Sequence, residues 1–507
     1  MTSASTHHHI VIIGAGFGGL GIAIRLKQAG ISDFVICERD DDVGGTWWAN
    51  TYPGCQCDIP SHLYSFSFAP NPNWTRTYPE QPELKEYLQG CAERHDIRDH
   101  IRFGCEASEA VWQEDACRWL LSTSQGTLTA DFLIAAPGPL SEPSIPDLLG
   151  LEGFEGPIFH TARWNHQQSL SGRRVALIGT GASAIQTAPQ IQPEVEHLTI
   201  FQRTPPWVVP HRDRPISTFE RALYRRMPVL QRLVRAGVYW SRELLVPGLV
   251  YRPALMKVVE RAARAHIAKQ VTDPDLRAKV TPDYRIGCKR ILPSNRWYPT
   301  LQESNVELVS AGVSEVRPNA VVASDGSVHE VDAIVLATGF HVTDIALADR
   351  VRGLEGRTMA EVWAGSPQGY LGTSVAGFPN LFFIVGPNTG LGHNSMVFMI
   401  EAQLAYVTEA LKRAQQHRIR RIEVHESVQD SYNAELQRRL RGTVWNSGGC
   451  SSWYIDSNGR NSTVWPDFTW RFWLRTRHFR PRDYKLQTGS EPRITSVPQP
   501  RETVLST

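Results

Sequence analysis

Two stretches of the chain show the same order of apolar and small residues. Apolar runs at 10–13 and 175–178 each lead into a glycine-rich turn, and a helical pattern follows each turn. The first stretch then reaches another apolar run before residue 39. This order predicts strand, turn, helix and strand, the repeating unit of a parallel sheet covered by helices. The pattern therefore favours the α/β class with two such units.

Further elements surround these units, and each is predicted from periodicity or from turn residues. In chain order they are a helix over 78–95 that includes Leu84, Leu88 and Cys91, a buried strand over 130–137, a Pro/Gly/Ser linker over 137–146, a basic helical stretch over 210–282 with Leu255, Val258, Val259 and Ala262 at helical spacing, a strand over 332–339, and a strand from Phe378 followed by a helix over 399–411. The stretch over 210–282 interrupts the second unit.

The two glycine turns carry the first chemical information. They read Gly14-Ala15-Gly16-Phe17-Gly18-Gly19 and Gly179-Thr180-Gly181-Ala182-Ser183-Ala184. Glycines in such a turn let the backbone approach a pyrophosphate at the N-terminus of the next helix. In each copy a charged residue stands 24 positions beyond the first glycine, Glu38 after one turn and Arg203 after the other.

The charges of these two residues distinguish two cofactors. A carboxylate accepts hydrogen bonds from ribose hydroxyls, whereas an arginine suits a 2′-phosphate. The first unit is therefore predicted to bind FAD and the second to bind NADPH. The predicted contacts are Gly14, Gly16, Gly19 and Glu38 for FAD, and Gly179, Thr180, Gly181, Ser183, Arg203 and Thr204 for NADPH.

These assignments predict two Rossmann-like dinucleotide-binding domains, one for FAD and one for NADPH, with a helical insertion. The predicted order is 1–145 for the first part of the FAD domain, 146–209 for the first part of the NADPH domain, 210–282 for the helical insertion, 283–370 for the second part of the NADPH domain, 371–480 for the second part of the FAD domain, and 481–507 for a polar tail. We expect the tail to be poorly ordered.

Composition narrows the classes of function. The chain has 507 residues, 41% hydrophobic content and a net charge of +2, which is ordinary for a globular protein of two or three domains. The small net charge gives no reason to expect nucleic acid or an anionic membrane as a partner. The best candidate for a membrane span, residues 10–24, is short and contains five glycines, so we predict none. We also expect no signal peptide.

The eight cysteines do not form the dense pattern of a disulfide scaffold. Cys55 and Cys57 form a CxC pair, but no second pair or histidine cluster completes a zinc site, and we predict no metal. The CxxxxC motif of flavin disulfide reductases is absent. We therefore expect reduced cysteines in a cytoplasmic protein.

A longer motif stands before the second glycine turn. It reads Phe154-Glu155-Gly156-Pro157-Ile158-Phe159-His160-Thr161-Ala162-Arg163-Trp164-Asn165, which resembles the FxGxxxHxxxW fingerprint of type I Baeyer–Villiger monooxygenases. That family often has Pro or Asp where this chain has Asn165. Flavin monooxygenases that oxygenate nitrogen or sulfur usually carry Tyr or Phe in place of Trp164. We expect His160 to have a structural role in orienting the domains.

Other segments extend the resemblance over nearly the whole chain except its tail. They are the first glycine turn, Gly44-Gly45-Thr46-Trp47, Tyr52-Pro53-Gly54-Cys55-Gln56-Cys57-Asp58, the second glycine turn, Lys289-Arg290 and Ala337-Thr338-Gly339. The resemblance implies an enzyme with FAD and NADPH that inserts one oxygen atom of O₂ beside a ketone carbonyl. The product would be an ester or a lactone.

The resemblance also implies roles for individual residues. Arg290 would be the central catalytic residue, because a fixed guanidinium stabilises negative charge that develops during oxygenation. Asp58 would lie near the flavin and hold Arg290 by charge-assisted hydrogen bonds. The remaining roles are Lys289 on NADPH, Thr46, Trp47 and Tyr64 at FAD, Met396 near the flavin ring, and Trp453 on a mobile loop over nicotinamide.

Two alternatives stay open at this point. The nearer one is a flavin monooxygenase that oxygenates nitrogen or sulfur, against which Trp164 and Arg290 argue. The other is a non-catalytic protein that binds FAD and interacts with a partner. Neither the ketone nor the oligomeric state follows from the sequence.

Overall fold

The computed structural model describes residues 6–343 and 347–489. Its strands are β1 Thr6–Ile13, β2 Phe34–Cys37, β3 Ile101–Arg102, β4 Ala107–Gln113, β5 Arg118–Thr123, β6 Gly126–Ala135, β7 Ile158–His160, β8 Arg174–Ile178, β9 His197–Phe201, β10 Val208–Val209, β11 Leu292–Pro293, β12 Val306–Val309, β13 Val313–Arg317, β14 Ala320–Ala323, β15 Val328–Glu330, β16 Ala333–Leu336, β17 Val351–Arg352, β18 Leu381–Phe383, β19 Ile419–Val424 and β20 Tyr484–Thr488.

Its helices are α1 Phe17–Gln28, α2 Thr46–Ala49, α3 Gln81–Arg94, α4 Ala182–Ile191, α5 Thr218–Arg226, α6 Pro228–Glu243, α7 Lys257–Gln270, α8 Pro274–Val280, α9 Trp297–Thr300, α10 Leu347–Arg350, α11 Met359–Trp363, α12 Met396–Gln416, α13 Glu426–Leu440, α14 Val444–Ser447 and α15 Thr469–Thr476. A π-helical turn at Pro247–Tyr251 and a 3₁₀ turn at Pro253–Met256 follow α6.

The first glycine turn belongs to an eight-stranded sheet. Its order is β17-β4-β5-β6-β1-β2-β3, and β18 also pairs with β6. Strand β1 is central and runs parallel to both β2 and β6. Its residues 10–12 are fully buried, because helices cover a parallel sheet on both faces. Helices α1 and α12 pack together beside it, which places the turn between β1 and α1 at the edge of this core.

The second glycine turn belongs to a separate parallel sheet of five strands. The order is β12-β9-β8-β16-β7, and the turn connects β8 to α4. A three-stranded antiparallel sheet of β13, β14 and β15 lies between β12 and β16 in the chain. Two sheets with the same strand–turn–helix unit are the arrangement that the sequence predicted. The structure confirms the α/β class and the predicted helix over 78–95, whose Leu84, Leu88 and Cys91 are buried.

The structure shifts one predicted domain boundary. Strand β17 at Val351–Arg352 pairs in parallel with β4 of the first sheet, and Met359 and Trp363 of α11 lie in the core beneath that sheet. The chain has therefore returned to the FAD unit by Val351, about twenty residues before the predicted boundary at 371. A two-residue edge strand has no alternation of apolar and polar positions, so the sequence pattern does not reveal it.

The tail prediction also needs correction at its start. Residues 481–483 form a 3₁₀ turn, and β20 pairs antiparallel with β19. Tyr484 is buried, and its hydroxyl accepts a hydrogen bond from Tyr406 at 3.0 Å. Residues 481–489 thus belong to the fold, because one aromatic anchor ties a polar strand to it. The rest of the predicted tail, 490–507, lies outside the described residues.

The interrupting stretch is helical, as predicted, but one of its apolar faces points the other way. It contains α5, α6, α7 and α8. Leu255 and Val258 of the predicted apolar stripe are 51% and 68% exposed, while Ala263, His266 and Ile267 of α7 are buried. The periodicity identified the helix and not the side that packs. Within 6–343 and 347–489, no helix combines the length and the apolar character needed to cross a membrane.

The cysteine prediction is wrong for one pair. Cys288 and Cys450 form a disulfide although 162 residues separate them. Such a pairing depends on tertiary folding, so cysteine spacing alone does not reveal it. The other cysteines are free, and they are Cys37, Cys55, Cys57, Cys91, Cys105 and Cys117.

Candidate active site and coenzyme sites

The two glycine turns have matching geometry. Gly14 and Gly179 adopt φ values of 95° and 111°. A β-carbon placed on Gly14 would lie 2.6 Å from the carbonyl oxygen of Ala136, and one on Gly179 would lie 2.5 Å from that of Ala337. Only glycine fits either position. Each turn therefore opens a helix whose N-terminus is free to receive a pyrophosphate.

The helix end beside the second turn is open. A β-carbon on Gly181, the N-cap of α4, would meet no atom within 4 Å. The hydroxyl of Thr180 donates to the carbonyl of Thr204 at 3.3 Å, which ties the turn to the end of β9. Ser183 is half-buried in the first turn of α4. The predicted NADPH contacts on this side thus surround one open helix end.

The two charged residues that follow the turns differ in their surroundings. Glu38 is only 5% exposed, and its carboxylate accepts hydrogen bonds from the amides of Ala15 at 2.6 Å and Asp40 at 2.9 Å. Burial raises the pKa of Glu38 above its ordinary value, and these amide bonds oppose the rise. Arg203, by contrast, is exposed.

Arg203 stands on the wall of a cavity of about 410 Å³. Thr204, Lys279, Lys289 and Cys450 line the same cavity, and so does the acidic Asp283. Burial lowers the pKa of Lys289, and the neighbouring charge of Arg203 lowers it further. Cations that repel one another across a cavity form a site suited to a phosphate dianion.

Lys279 is a member of this cavity that sequence reasoning missed. It lies near the end of α8 within the helical insertion, where a lone lysine gives no signal. The structure brings it to the cavity because the side-chain amide of Gln202 donates to the carbonyl of Lys279 at 2.9 Å. Gln202 directly precedes Arg203, so the insertion is fastened to the end of β9 at the cavity.

The predicted flavin contacts gather around the first turn. The amide of Gly44 donates to the carbonyl of Ala15 at 3.1 Å, which lays the segment before Thr46 across the turn. The indole of Trp47 donates to the hydroxyl of Tyr64 at 3.3 Å. The ring of Tyr64 lies 5.2 Å from that of Phe17 in α1.

Met396 begins α12 and is capped by Ser395, whose hydroxyl accepts from the amide of Val397 at 3.2 Å. It is half-buried and packs against the core that also contains Trp47. The predicted Met396 contact thus lies on the same side of the fold as the aromatic pair.

Arg290 and Asp58 form a bidentate ion pair. Nε of Arg290 donates to Oδ2 of Asp58 at 2.8 Å, and Nη2 donates to Oδ1 at 2.7 Å. Nη1 donates to the carbonyl of Leu391 at 3.0 Å. About a quarter of each charged side chain stays exposed, 25% for Arg290 and 23% for Asp58. The guanidinium is therefore held on three sides, with one side left open.

The pair stays ionised over the whole neutral range. Burial would raise the pKa of Asp58, but the charge and hydrogen bonds of Arg290 outweigh it and lower that pKa. Burial would likewise lower the pKa of Arg290, and Asp58 raises it above its ordinary value. The ion pair also joins the two units, because Cys57 lies in the core of the first and Cys288 in that of the second.

Comparisons with known proteins agree with this geometry. Residues 11–220 match the family model described as pyridine nucleotide-disulphide oxidoreductase. A protein of Streptomyces coelicolor called Baeyer-Villiger monooxygenase is 50% identical over 95% of this chain and 93% of its own length. One of Pseudomonas aeruginosa with the same name is 49% identical over 96% and 93%. The chain belongs to the Baeyer–Villiger monooxygenase family.

Solved structures of other monooxygenases are similar over nearly the whole chain. The closed crystal structure of a cyclohexanone monooxygenase has a TM-score of 0.85 at 29% identity, covering 96% of this chain and all of that one. An oxidized steroid monooxygenase bound to NADP has a TM-score of 0.83 at 30% identity, with 96% and 100% covered. The family predicted from the sequence is confirmed.

The family fingerprint lies at the junction of the two units. His160 ends β7, and its Nδ1 accepts a hydrogen bond from the amide of Ala162 at 3.0 Å. Burial lowers the pKa of His160 to about 4, so the ring is neutral at neutral pH. Trp164 packs against the cores of both units. This placement agrees with the structural role that we predict for His160.

The loop after α14, which is predicted to lie over nicotinamide, brings Tyr454 near Arg290. Trp453 is 48% exposed, and its ring lies 4.4 Å from that of Tyr454. Tyr454 is 1% exposed, and its hydroxyl has no hydrogen-bond partner within 6–343 and 347–489. Burial raises its pKa to about 12, while the nearby Arg290 lowers it. The segment Ser452-Trp453-Tyr454 predicted the loop from the sequence, but it predicted no separate role for Tyr454.

The disulfide fastens this loop to the arginine segment. Cys288 immediately precedes Lys289 and Arg290, and Cys450 stands three residues before Trp453. Cys450 also lines the cavity of Arg203. The loop is therefore covalently held at the border between the coenzyme cavity and the ion pair.

Proposed function

We propose that this chain is an FAD-dependent, NADPH-consuming Baeyer–Villiger monooxygenase that converts a ketone into an ester or lactone with O₂. The observation that carries the proposal is the bidentate pair of Arg290 with Asp58. It supplies a fixed, permanently charged group where the two units meet, and such a group can stabilise the negative charge that an oxygenated ketone develops. The family relationship supports the same reaction.

The residues fit both cofactors. The buried Glu38 at the end of β2 suits the ribose hydroxyls of FAD, and the first turn suits its pyrophosphate. Arg203, Thr204, Lys279 and Lys289 suit the 2′-phosphate of NADPH, because they bring three cations and a hydroxyl to one cavity, against the one carboxylate of Asp283. When bound, FAD that NADPH has reduced would provide the reactivity towards O₂ that the oxygenation needs.

The chain's own contribution is binding, orientation and charge. Asp58 holds the plane of the Arg290 guanidinium by two parallel bonds, so no reorganisation is needed when negative charge appears on the ketone oxygen. Arg290 stays protonated throughout and exchanges no proton with the substrate. The buried Tyr454 and the tethered loop limit the access of water to the same place. We propose Arg290 as the catalytic residue and Asp58 as its positioning residue.

A panel of linear, cyclic and aromatic ketones tests the proposal. NADPH consumption and product mass are followed together, with amines and sulfides as parallel substrates. We expect ester or lactone in amounts that match the NADPH consumed. Turnover of amines or sulfides alone would support the nitrogen- or sulfur-oxygenating alternative. Yellow protein whose colour never bleaches with NADPH without oxygen would support the non-catalytic one.

Two further predictions belong to this proposal. The domain order, with the boundary now near Val351, follows the two sheets. A cytoplasmic location remains a prediction from composition, and fractionation of the source cells tests it. That prediction rested partly on the expectation that the cysteines are reduced, whereas Cys288 and Cys450 form a disulfide.

A further inference from the structure

Helix α6 differs from an ordinary amphipathic helix, because several polar side chains form hydrogen bonds on its inward side while its outward side is apolar. Its inward side carries Leu230 and Val238, which pack against the core, but most of its inward positions are polar side chains that form hydrogen bonds. Three side chains donate to groups outside the helix: Gln231 to the carbonyl of Asn71, Arg235 to the carbonyls of His62 and Ser65, and Arg242 to the hydroxyl of Tyr78. The hydroxyl of Tyr239 forms a hydrogen bond with that of Thr469. The carboxylate of Glu243 accepts hydrogen bonds from Asn394 and Thr469. These bonds fix the rotation of the helix, because every alternative would leave them unmade in the interior.

The outward face of α6 is apolar. Val229, Leu233 and Trp240 are 54%, 63% and 57% exposed, and Leu244, directly after the helix, is 78% exposed. Their spacing of four, seven and four residues places them on one side of the helix. Phe219 of the preceding helix α5 is 74% exposed. Water-facing aromatic and aliphatic side chains in one stripe are unusual on a protein surface and mark a docking surface.

The charge around this stripe is strongly positive. Residues 218–258 contain eight Arg and Lys, of which Arg235 and Arg242 face inward, but only two acidic residues. One of these, Glu220, is paired with Arg214, and the other, Glu243, is buried. Arg226 and Arg232 are exposed beside the stripe. The net charge of +2 for the whole chain does not reveal this local positive charge. The small net charge gave no reason to expect an anionic membrane as a partner, but this surface does.

We propose that α6, with the preceding helix α5, docks in the interfacial region of an anionic lipid bilayer. Apolar side chains that enter the headgroup region, flanked by arginines that meet lipid phosphates, are the features of an interfacial helix. A second copy of the chain fits this face less well. In a two-fold dimer the same arginines would meet across the contact without acidic partners. The helix lies on the bilayer and does not span it.

Vesicle binding of the intact, FAD-loaded protein tests the proposal. The probes are flotation with phosphatidylcholine vesicles, alone or with about one-third phosphatidylglycerol, in low and high salt. We expect binding to the anionic vesicles that high salt weakens. A triple variant, Leu233→Gln, Trp240→Gln and Leu244→Gln, should lose that binding at least about 10-fold, because the inserted area is gone. Its FAD content and melting temperature should match the wild type.

Two further variants make the test specific. Arg226→Gln with Arg232→Gln should weaken binding to anionic vesicles by about 10- to 30-fold, at roughly 5-fold for each arginine. The matched control, Leu149→Gln with Val328→Gln, removes two equally exposed apolar residues elsewhere and should change nothing. Absent wild-type binding, or an equal loss in the control, would overturn the proposal. A concentration-dependent dimer that only the triple variant abolishes would assign the face to a second copy instead.

Discussion

Glu38 and Arg203 stand at the same distance from their glycine turns, yet the fold treats them in opposite ways. Glu38 is buried and already hydrogen-bonded to an amide of its own turn. Arg203 is exposed on the wall of an open cavity. A preorganised, enclosed contact favours tight binding, because little order remains to be gained on association. The comparison indicates a resident cofactor at the first site and an exchanging coenzyme at the second.

The largest effect is expected at the ion pair that joins the two sites. Arg290→Ala should remain yellow and be reduced by NADPH, because Glu38 and the first turn are untouched. Ester formation should fall by about 10²–10³-fold, since a preorganised partner of negative charge is lost. Single-turnover oxygenation of the reduced enzyme with ketone, followed by flavin absorbance and product together, measures the effect.

The control for that change is Arg285→Ala, which removes an exposed arginine from the same segment. It should behave as wild type. A wild-type yield of ester from Arg290→Ala would refute the mechanism. Loss of FAD from that variant would instead show that the arginine is needed for folding around the first site.

A smaller effect is expected at the open coenzyme site, where the measured change is in the preference for NADPH over NADH. Arg203→Ala should weaken NADPH about 10- to 100-fold relative to NADH, because a charge-assisted phosphate contact of roughly 1.5–3 kcal/mol is removed. Steady-state KM values for the two coenzymes measure the ratio. FAD content should not change. Arg261→Ala on α7 is exposed away from the cavity and serves as the control.

Equal weakening of both coenzymes would remove the phosphate assignment from Arg203. It would also remove the contrast between the two sites, since the second turn would then lack its distinguishing contact.

The sequence predicted the parts of this comparison that depend on local patterns. Gly14 and Gly179 require glycine for a reason that lies within a few residues of each, so the turns were visible. Asp58 and Arg290 were found only through the family motifs, because 232 residues separate them. Lys279 carried no local signal, since it reaches its site through a contact made elsewhere in the fold. The same holds for Cys288 with Cys450.

Two variants of Asp58 test whether its carboxylate orients Arg290. Asp58→Ala should keep FAD and lower kcat about 10-fold with little change in the KM for the ketone, because a guanidinium that is no longer held stabilises charge less well. Asp58→Asn should recover part of the rate, since its amide oxygen still accepts one bond from Arg290. Normal turnover in Asp58→Ala would reduce the carboxylate to a structural partner.

The smallest effect is expected at the junction of the two units, where His160 is buried in its neutral form. Its pKa is about 4 in the folded protein, against 6.5 for the ordinary group. The unfolded chain therefore binds more protons between these values, and this contribution to stability is complete above pH 6.5 and lost as pH falls towards 4. Glutamine does not titrate. The melting temperature of His160→Gln should therefore fall by about 2 °C less than that of the wild type between pH 7 and pH 5. Melting curves at several pH values measure the difference, and the exposed His417→Gln is the control. Parallel curves for wild type and His160→Gln would show that the histidine is not held neutral at the junction, and the two units would then meet through other contacts.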